Sequence, residues 1–248
     1  MPDIRTVSYL ILGLVVQTTM GQCHERIKEL CSCGEATKLL ITLDSLERVT
    51  GLDTAIRCSV GEGLSRELVP GCWERSIDIT WMVDERGGTS STMHVVTVDD
   101  EIAVLLIERG TYLLRSSVDS ALFGKMNFNY RIIYERELAV SDLFSDSVDY
   151  GRECSRFLMA PEARVKMEEM VEKEDIPGLN AWLASPVTEL QMYAVEGLYS
   201  LCGRGLLLTA FQTRCIAAIG KKRGDVSTCH GCINGRQEVG ELFRSIVQ

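Results

Sequence analysis

Three observations predict an α+β chain: short alternating or continuous apolar runs in the first half, helical apolar stripes in the second, and turn residues at intervals of about ten positions throughout the first. The expected order is a leader at 1–21, an antiparallel-sheet domain at 22–150, and a small all-α domain at 151–248. A run of turns spaced that closely favours a meander over alternating βα units.

Residues 1–21 read as a secretory signal. Arg5 gives the single positive charge, Asp3 offsets it, and residues 6–19 are uncharged around an apolar centre at 9–16. That centre is too short for a membrane span, which takes about 20 apolar residues. Thr19 and Gly21 place small residues at −3 and −1 of a cut before Gln22. The competing readings are a buried N-terminal helix or strand and a lipidated Cys23. The second is disfavoured because Gln22 stands where a lipobox needs a small residue. All ten cysteines follow the leader. Export would place them where thiols pair, in a secreted or periplasmic protein.

In the first half, helices are expected near 24–31 and 44–57, with a β-rich run at 37–43. Ile77, Ile79 and Trp81 alternate with Asp78 and Thr80, the pattern of a half-buried strand. Gly87-Gly88 supplies a tight turn, 93–98 resumes as a strand, and Asp99-Asp100 punctuates again. The unbroken apolar run 102–107 predicts a strand buried on both faces. Residues 111–115 follow Gly110 as a further strand, and 128–134 form the last, extending toward Glu137.

The second half reads as five helices. Pro161 opens the first, with Ala163, Met167, Met170 and Val171 on one face. Residues 175–184 form a short second helix, ended by Ser185-Pro186 because the residue before a proline avoids helical angles. Residues 189–202 carry two apolar stripes, as a helix sandwiched between neighbours does. Helices at 209–222 and 237–246 complete the set. The segment 176–201, with its short helix, Ser-Pro turn and A-V-E-G-L pattern in the next helix, resembles a HEAT-type repeat unit. That resemblance implies helix-pair packing and a protein-interaction scaffold, with no chemistry attached. A solenoid needs about three such units, and a third is not legible.

Charge narrows the partners. Residues 22–150 hold 13 Lys/Arg against 22 Asp/Glu, and 151–248 hold 12 of each. An acidic first half disfavours nucleic acid. The basic run Lys221-Lys222-Arg223 is assigned to the end of a helix, where cations offset the dipole. No later stretch is long and apolar enough for a membrane span in the mature chain.

Each half holds five cysteines, so complete pairing would need a bridge between halves. The disulfide candidates are Cys23, Cys31, Cys33, Cys58, Cys72, Cys154, Cys229 and Cys232, with Cys154 assigned as the bridge to the first half. Cys202 and Cys215 lie in helical stripes and read equally well as buried thiols. Cys229-His230-Gly231-Cys232 is read first as a loop-closing disulfide, then as a redox centre with His230 tuning the thiolate, then as half a metal site. Cys23, His24, Cys31 and Cys33 could ligate zinc, although oxidising conditions favour disulfides.

Weaker patterns are assigned to structure. His94 with Ser90 and Asp99 lacks the spacing of a triad, Gly61-Glu62-Gly63 lacks the context of a dinucleotide turn, and Asp99-Asp100-Glu101 lacks the other calcium ligands. No catalytic constellation and no cofactor motif follow. The expected function is an exported, disulfide-stabilised, non-enzymatic protein with a protein-interaction or envelope-scaffolding role, in which Trp182 and Tyr199 are the aromatic contact candidates. The alternative is a thiol-disulfide oxidoreductase using Cys229 and Cys232, and the third reading a zinc protein.

Overall fold

The computed structural model describes residues 57–82, 88–110, 112–144, 148–154, 157 and 159–248. The chain divides into two compact units, Met1–Gly63 with Arg75–Leu122, and Leu64–Glu74 with Phe123–Gln248. The fold is α+β, an antiparallel sheet followed by helices. The leader, the strand expected at 37–43, the helix expected at 24–31, all of the helix expected at 44–57 except Arg57, which opens a strand, and Cys23, His24, Cys31 and Cys33 lie outside the described residues.

The first unit is built on a meander of strands in sequential order: β1 (Arg57–Val69), β2 (Cys72–Met82), β3 (Gly88–Val98), β4 (Glu101–Arg109) and β5 (Tyr112–Val118). Asp99 and Asp100 both take positive φ, 49° and 67°, as the two-residue turn between paired Val98 and Glu101 requires. The expected apolar run is the heart of β4, with residues 102–105 all buried. Met93, Val95, Ile107, Ile77 and Ile79 are at most 2% exposed and form the unit's core. β1 is absent from the sequence reading. Gly61-Glu62-Gly63 lies inside it, and a Cβ on Gly63 would collide with Ser76 of β2. Its glycines permit close strand approach, so no phosphate-binding turn forms there.

The strand expected at 128–134 is instead the end of a helix, α1 (Ser120–Tyr134). Met126, Tyr130 and Tyr134 are buried every fourth residue. Phe128 and Ile132, which an alternating strand would bury beside them, are 56% and 58% exposed. The Asp119 carboxylate caps the helix start, accepting from the backbone N–H of Ala121 and Leu122 at 3.0 and 3.1 Å.

The second unit continues with α2 (Glu162–Glu172), α3 (Ile176–Leu183), α4 (Thr188–Cys202), α5 (Ala210–Ile219) and α6 (Val239–Val247), close to the expected ranges. Between α5 and α6 the chain forms a hairpin, β6 (Asp225–His230) and β7 (Ile233–Glu238), which the all-helical reading did not include. Its strands are short and mostly polar, so they show no apolar alternation. α4 is the central element, with Met192, Tyr193, Ala194, Val195 and Leu198 fully buried. Gly197 lets α2 and α3 close on it: a Cβ there would sit 2.9 Å from Leu179 and 3.2 Å from Val171.

A buried charge cluster as the candidate functional site

The tip of the β1–β2 hairpin belongs to the second unit and brings charge into its interior. Pro70-Gly71 turns the chain, with Gly71 at φ 79°, as a type II turn demands of its third residue. Arg66 is 1% exposed, donating from Nε to Glu74 Oε2 at 3.0 Å and from Nη1 to Glu189 Oε2 at 2.7 Å. Burial alone would work against its charge. The two carboxylates outweigh that and raise the guanidinium pKa above its ordinary value. Glu189 also accepts the Ser227 N–H at 2.8 Å, and Glu74 the Phe144 N–H at 2.8 Å. Both carboxylates thereby tie the hairpin tip to helix and loop through one cation.

Lys222 completes the cluster. It is 5% exposed, and its Nζ donates to Gln191 Oε1 at 2.7 Å and lies 5.6 Å from the centre of the Tyr134 ring. Burial first, and the neighbouring Arg66 second, push its amine down to about 7, although Glu74, Glu189 and Glu67 pull the other way. Arg223 pairs with Glu67 at 2.8 Å and stacks 5.1 Å over Trp73. Burial pushes the Glu67 carboxyl up, but the hydrogen bonds from Arg223 and the Gly71 N–H outweigh it and hold the carboxyl below the usual range. The basic run is therefore more than a helix end. Lys221 is exposed, Lys222 turns inward and Arg223 clamps the hairpin. The missed signal was phase: Lys222, past the end of α5, follows Ile219 by three positions and Cys215 by seven and so continues the line of that helix's buried stripe.

Beside Lys222 opens a mostly apolar cavity of about 310 Å³, walled by Leu68, Val69, Ile133, Tyr134 and Ala218. That volume is at the lower end of what small-molecule sites occupy. A second recess, about 400 Å³, is lined by Trp182, Leu190, Met170 and Asp149. Next to Asp149 in the chain, Tyr150 donates to Glu196 Oε2 at 2.7 Å, and Arg164 binds both Glu196 oxygens at 2.8 and 2.7 Å. Trp182 thus edges a recess while its ring lies 6.4 Å from that of Tyr193, and Tyr199 is 37% exposed on α4.

The cysteine motif takes a different form from either expectation. Cys154 bonds to Cys229, with Cα atoms 5.4 Å apart, and not to any cysteine of the first half. Cys229 is accordingly not paired with Cys232, so the loop-closing bridge within the motif does not form. Gly231 (φ 57°) and Cys232 make the two-residue turn of the β6–β7 hairpin, leaving the Cys232 thiol exposed. No helix N-terminus follows, in contrast to a thioredoxin-like arrangement. The bridge is set by backbone: Tyr150 N–H donates to Ser227 O at 2.8 Å, Cys229 N–H to Tyr150 O at 3.0 Å, and Gly231 N–H to Glu153 O at 2.8 Å. Gly151 leaves the room, since a Cβ there would lie 2.9 and 3.0 Å from the two sulfurs.

Cys72 and Cys215 are buried, and burial pushes the Cys215 thiol up to about 11; Cys202 is half-buried on α4, and Cys58 lies in β1. Ser90 and His94 lie on one strand, four residues and about 13 Å apart, with Asp99 beyond in the turn. The three do not converge. Among the described residues no group of three or more His, Cys, Asp or Glu could hold a metal ion, and no helix is long and apolar enough to cross a membrane. No family model, no curated protein and no solved structure matches this chain.

Proposed function

We propose that this is an exported, non-enzymatic interaction protein whose second unit is held by a disulfide and presents an apolar corner to another protein. The observation that supports it is the Cys154–Cys229 bridge, a bond that persists in oxidising compartments. Around that bridge stand Phe157, Met159 and Ile233, exposed by 83%, 63% and 72%. Met159 pairs with Cys154 through backbone, Cys154 with Gly231, and Ile233 follows Gly231 across the hairpin turn, which places these exposed residues near the bridge in the chain. Exposed apolar clusters of this kind mark interaction surfaces. The α3–α4 pair, joined through a Ser-Pro turn, acts in this reading as a HEAT-like unit that gives the corner a rigid base. Scaffolding in the envelope or outside the cell is the role that fits, with no nucleic acid involved.

The test is a photo-crosslinker placed at position 157 in the native host, with fractionation and N-terminal sequencing of the same protein. The reading expects a chain starting at Gln22 in the exported fraction and one discrete protein adduct. That adduct is lost with Ile233→Ser and absent when the crosslinker stands at exposed Glu172. A chain retaining Met1 in the cytoplasm removes export, and adducts of equal yield from positions 157 and 172 remove the corner.

A further inference from the structure

The cavity beside the charge cluster has no role in the interaction reading and stands apart from it. Its wall is largely hydrocarbon from Leu68, Val69, Ile133, Ala218 and the Tyr134 ring; the exposed Arg214 and Lys221 also line it, and the buried cation among its lining residues is Lys222. An amine in such a place is unusual. A lysine that only stabilises a fold keeps its ammonium in water or against a carboxylate, whereas Nζ here faces the neutral Gln191 amide oxygen at 2.7 Å. The three nearby carboxylates are engaged elsewhere, since Glu74 and Glu189 both bind Arg66 and Glu67 pairs with Arg223. Arg66 adds a like charge, the device by which lysine amines are held as free bases for covalent chemistry. From every packed element the groups facing Nζ are Arg66 and Glu67 (β1), Glu74 (β2), Tyr134 (α1), and Glu189 and Gln191 (α4).

We propose that Lys222 is a reactive amine that binds a small apolar aldehyde or ketone in this cavity as a reversible imine. The Nζ lone pair attacks the carbonyl carbon, the two amine hydrogens pass to the carbonyl oxygen, which leaves as water, and a C=N bond replaces the C=O. No oxidant, reductant or cofactor is consumed. Gln191 Oε1, accepting from Nζ, orients the lone pair away from itself. The apolar wall selects an aliphatic or aromatic carbonyl over a sugar and disfavours hydrolysis by holding little water.

Butanal is the probe, with cyanoborohydride to fix the imine as a butylamine and peptide mapping to locate it. At pH 7 an ordinary lysine is less than about one part in a thousand free base, and an amine tuned near 7 is about half. Lower basicity offsets part of that gain, leaving an expected labelling rate at Lys222 at least about tenfold above exposed Lys166 and Lys173. Lys222 labelling should also level off above neutral pH while theirs still climbs. Ala218→Leu fills the cavity and leaves the amine in place. In the folded variant, checked by circular dichroism, Lys222 labelling should fall at least about fivefold with Lys173, which is outside the cavity, unchanged. Equal rates at Lys222 and Lys173 in the wild type overturn the proposal. So does a Lys222 rate that Ala218→Leu leaves unaltered, because the carbonyl would then not enter through the cavity.

Discussion

Glu189→Gln tests how much the buried cluster stabilises the second unit. Glu189 is 1% exposed and accepts from Arg66 Nη1 at 2.7 Å and Ser227 N at 2.8 Å. Glutamine keeps the shape but has one oxygen where two are needed, so its NH₂ must face a donor. It also leaves Arg66 and Lys222 opposed by Glu74 and by Glu67, of which Glu67 is already paired with Arg223. Breaking a buried pair from one side costs about 3–5 kcal/mol, a large share of the roughly 5–15 kcal/mol that domains have. The assay is equilibrium urea unfolding at pH 6, where Lys222 is charged, with m-values compared to exclude a change in unfolded-state compactness. Glu169→Gln is the control. It removes an exposed helical pair with Lys173 and should cost no more than about 0.5 kcal/mol. Glu189→Gln with Lys222→Met should recover at least about 1 kcal/mol against additivity, because the second change removes the surplus charge. A Glu189→Gln cost below about 1 kcal/mol, or strict additivity of the pair, would refute the reasoning.

Four further outcomes are expected. Cys154→Ala opens a loop spanning a sequence separation of 75 and should lower unfolding stability by about 3–5 kcal/mol; dithiothreitol should lower the wild type by at least that much and cost the variant less. Because the folded-state pKa of Lys222 lies below its unfolded value, the unfolded chain binds more protons between about pH 7 and the ordinary lysine range. Wild-type stability should therefore rise with pH across that window relative to Lys222→Met, and a flat difference in urea midpoints would contradict it. Gly224 sits at φ 99°, and a Cβ there would lie 2.6 Å from Arg66 Cα, so Gly224→Ala should cost more than about 1 kcal/mol by the same unfolding assay. Thr188 Oγ1 is buried with no hydrogen-bond partner among the described residues, so Thr188→Val should be neutral or stabilising by up to about 1 kcal/mol in thermal melts.

Periodicity made the helices of the second unit legible, because each sets its apolar residues at three- and four-residue intervals in a segment bounded by proline or glycine. It failed at α1, where Phe128, Tyr130, Ile132 and Tyr134 mimic a strand over a short window; only Met126, four residues before Tyr130, breaks the tie. β1 went unread despite Pro70-Gly71 standing between two strand-like segments, since Arg66 on β1, and its partner Glu74 on β2, stand where apolar residues would mark a strand. For the same reason the candidate site was invisible. Its members come from positions 66, 74, 189 and 222, and their charges look solvated until the fold buries them. The cysteine spacing pointed to a local pair, but spacing does not encode which sulfur the hairpin turns toward. Here the extended segment at 148–154 runs beside β6 and meets Cys229 first.

A disulfide map of the protein, taken from its host with free thiols alkylated at lysis, reaches furthest into this account. A peptide pair joining Cys154 to Cys229, with Cys232 recovered alkylated, would match the stapled corner and the oxidising compartment together. Recovery of Cys229 joined to Cys232, or of both partners as alkylated thiols, would contradict them.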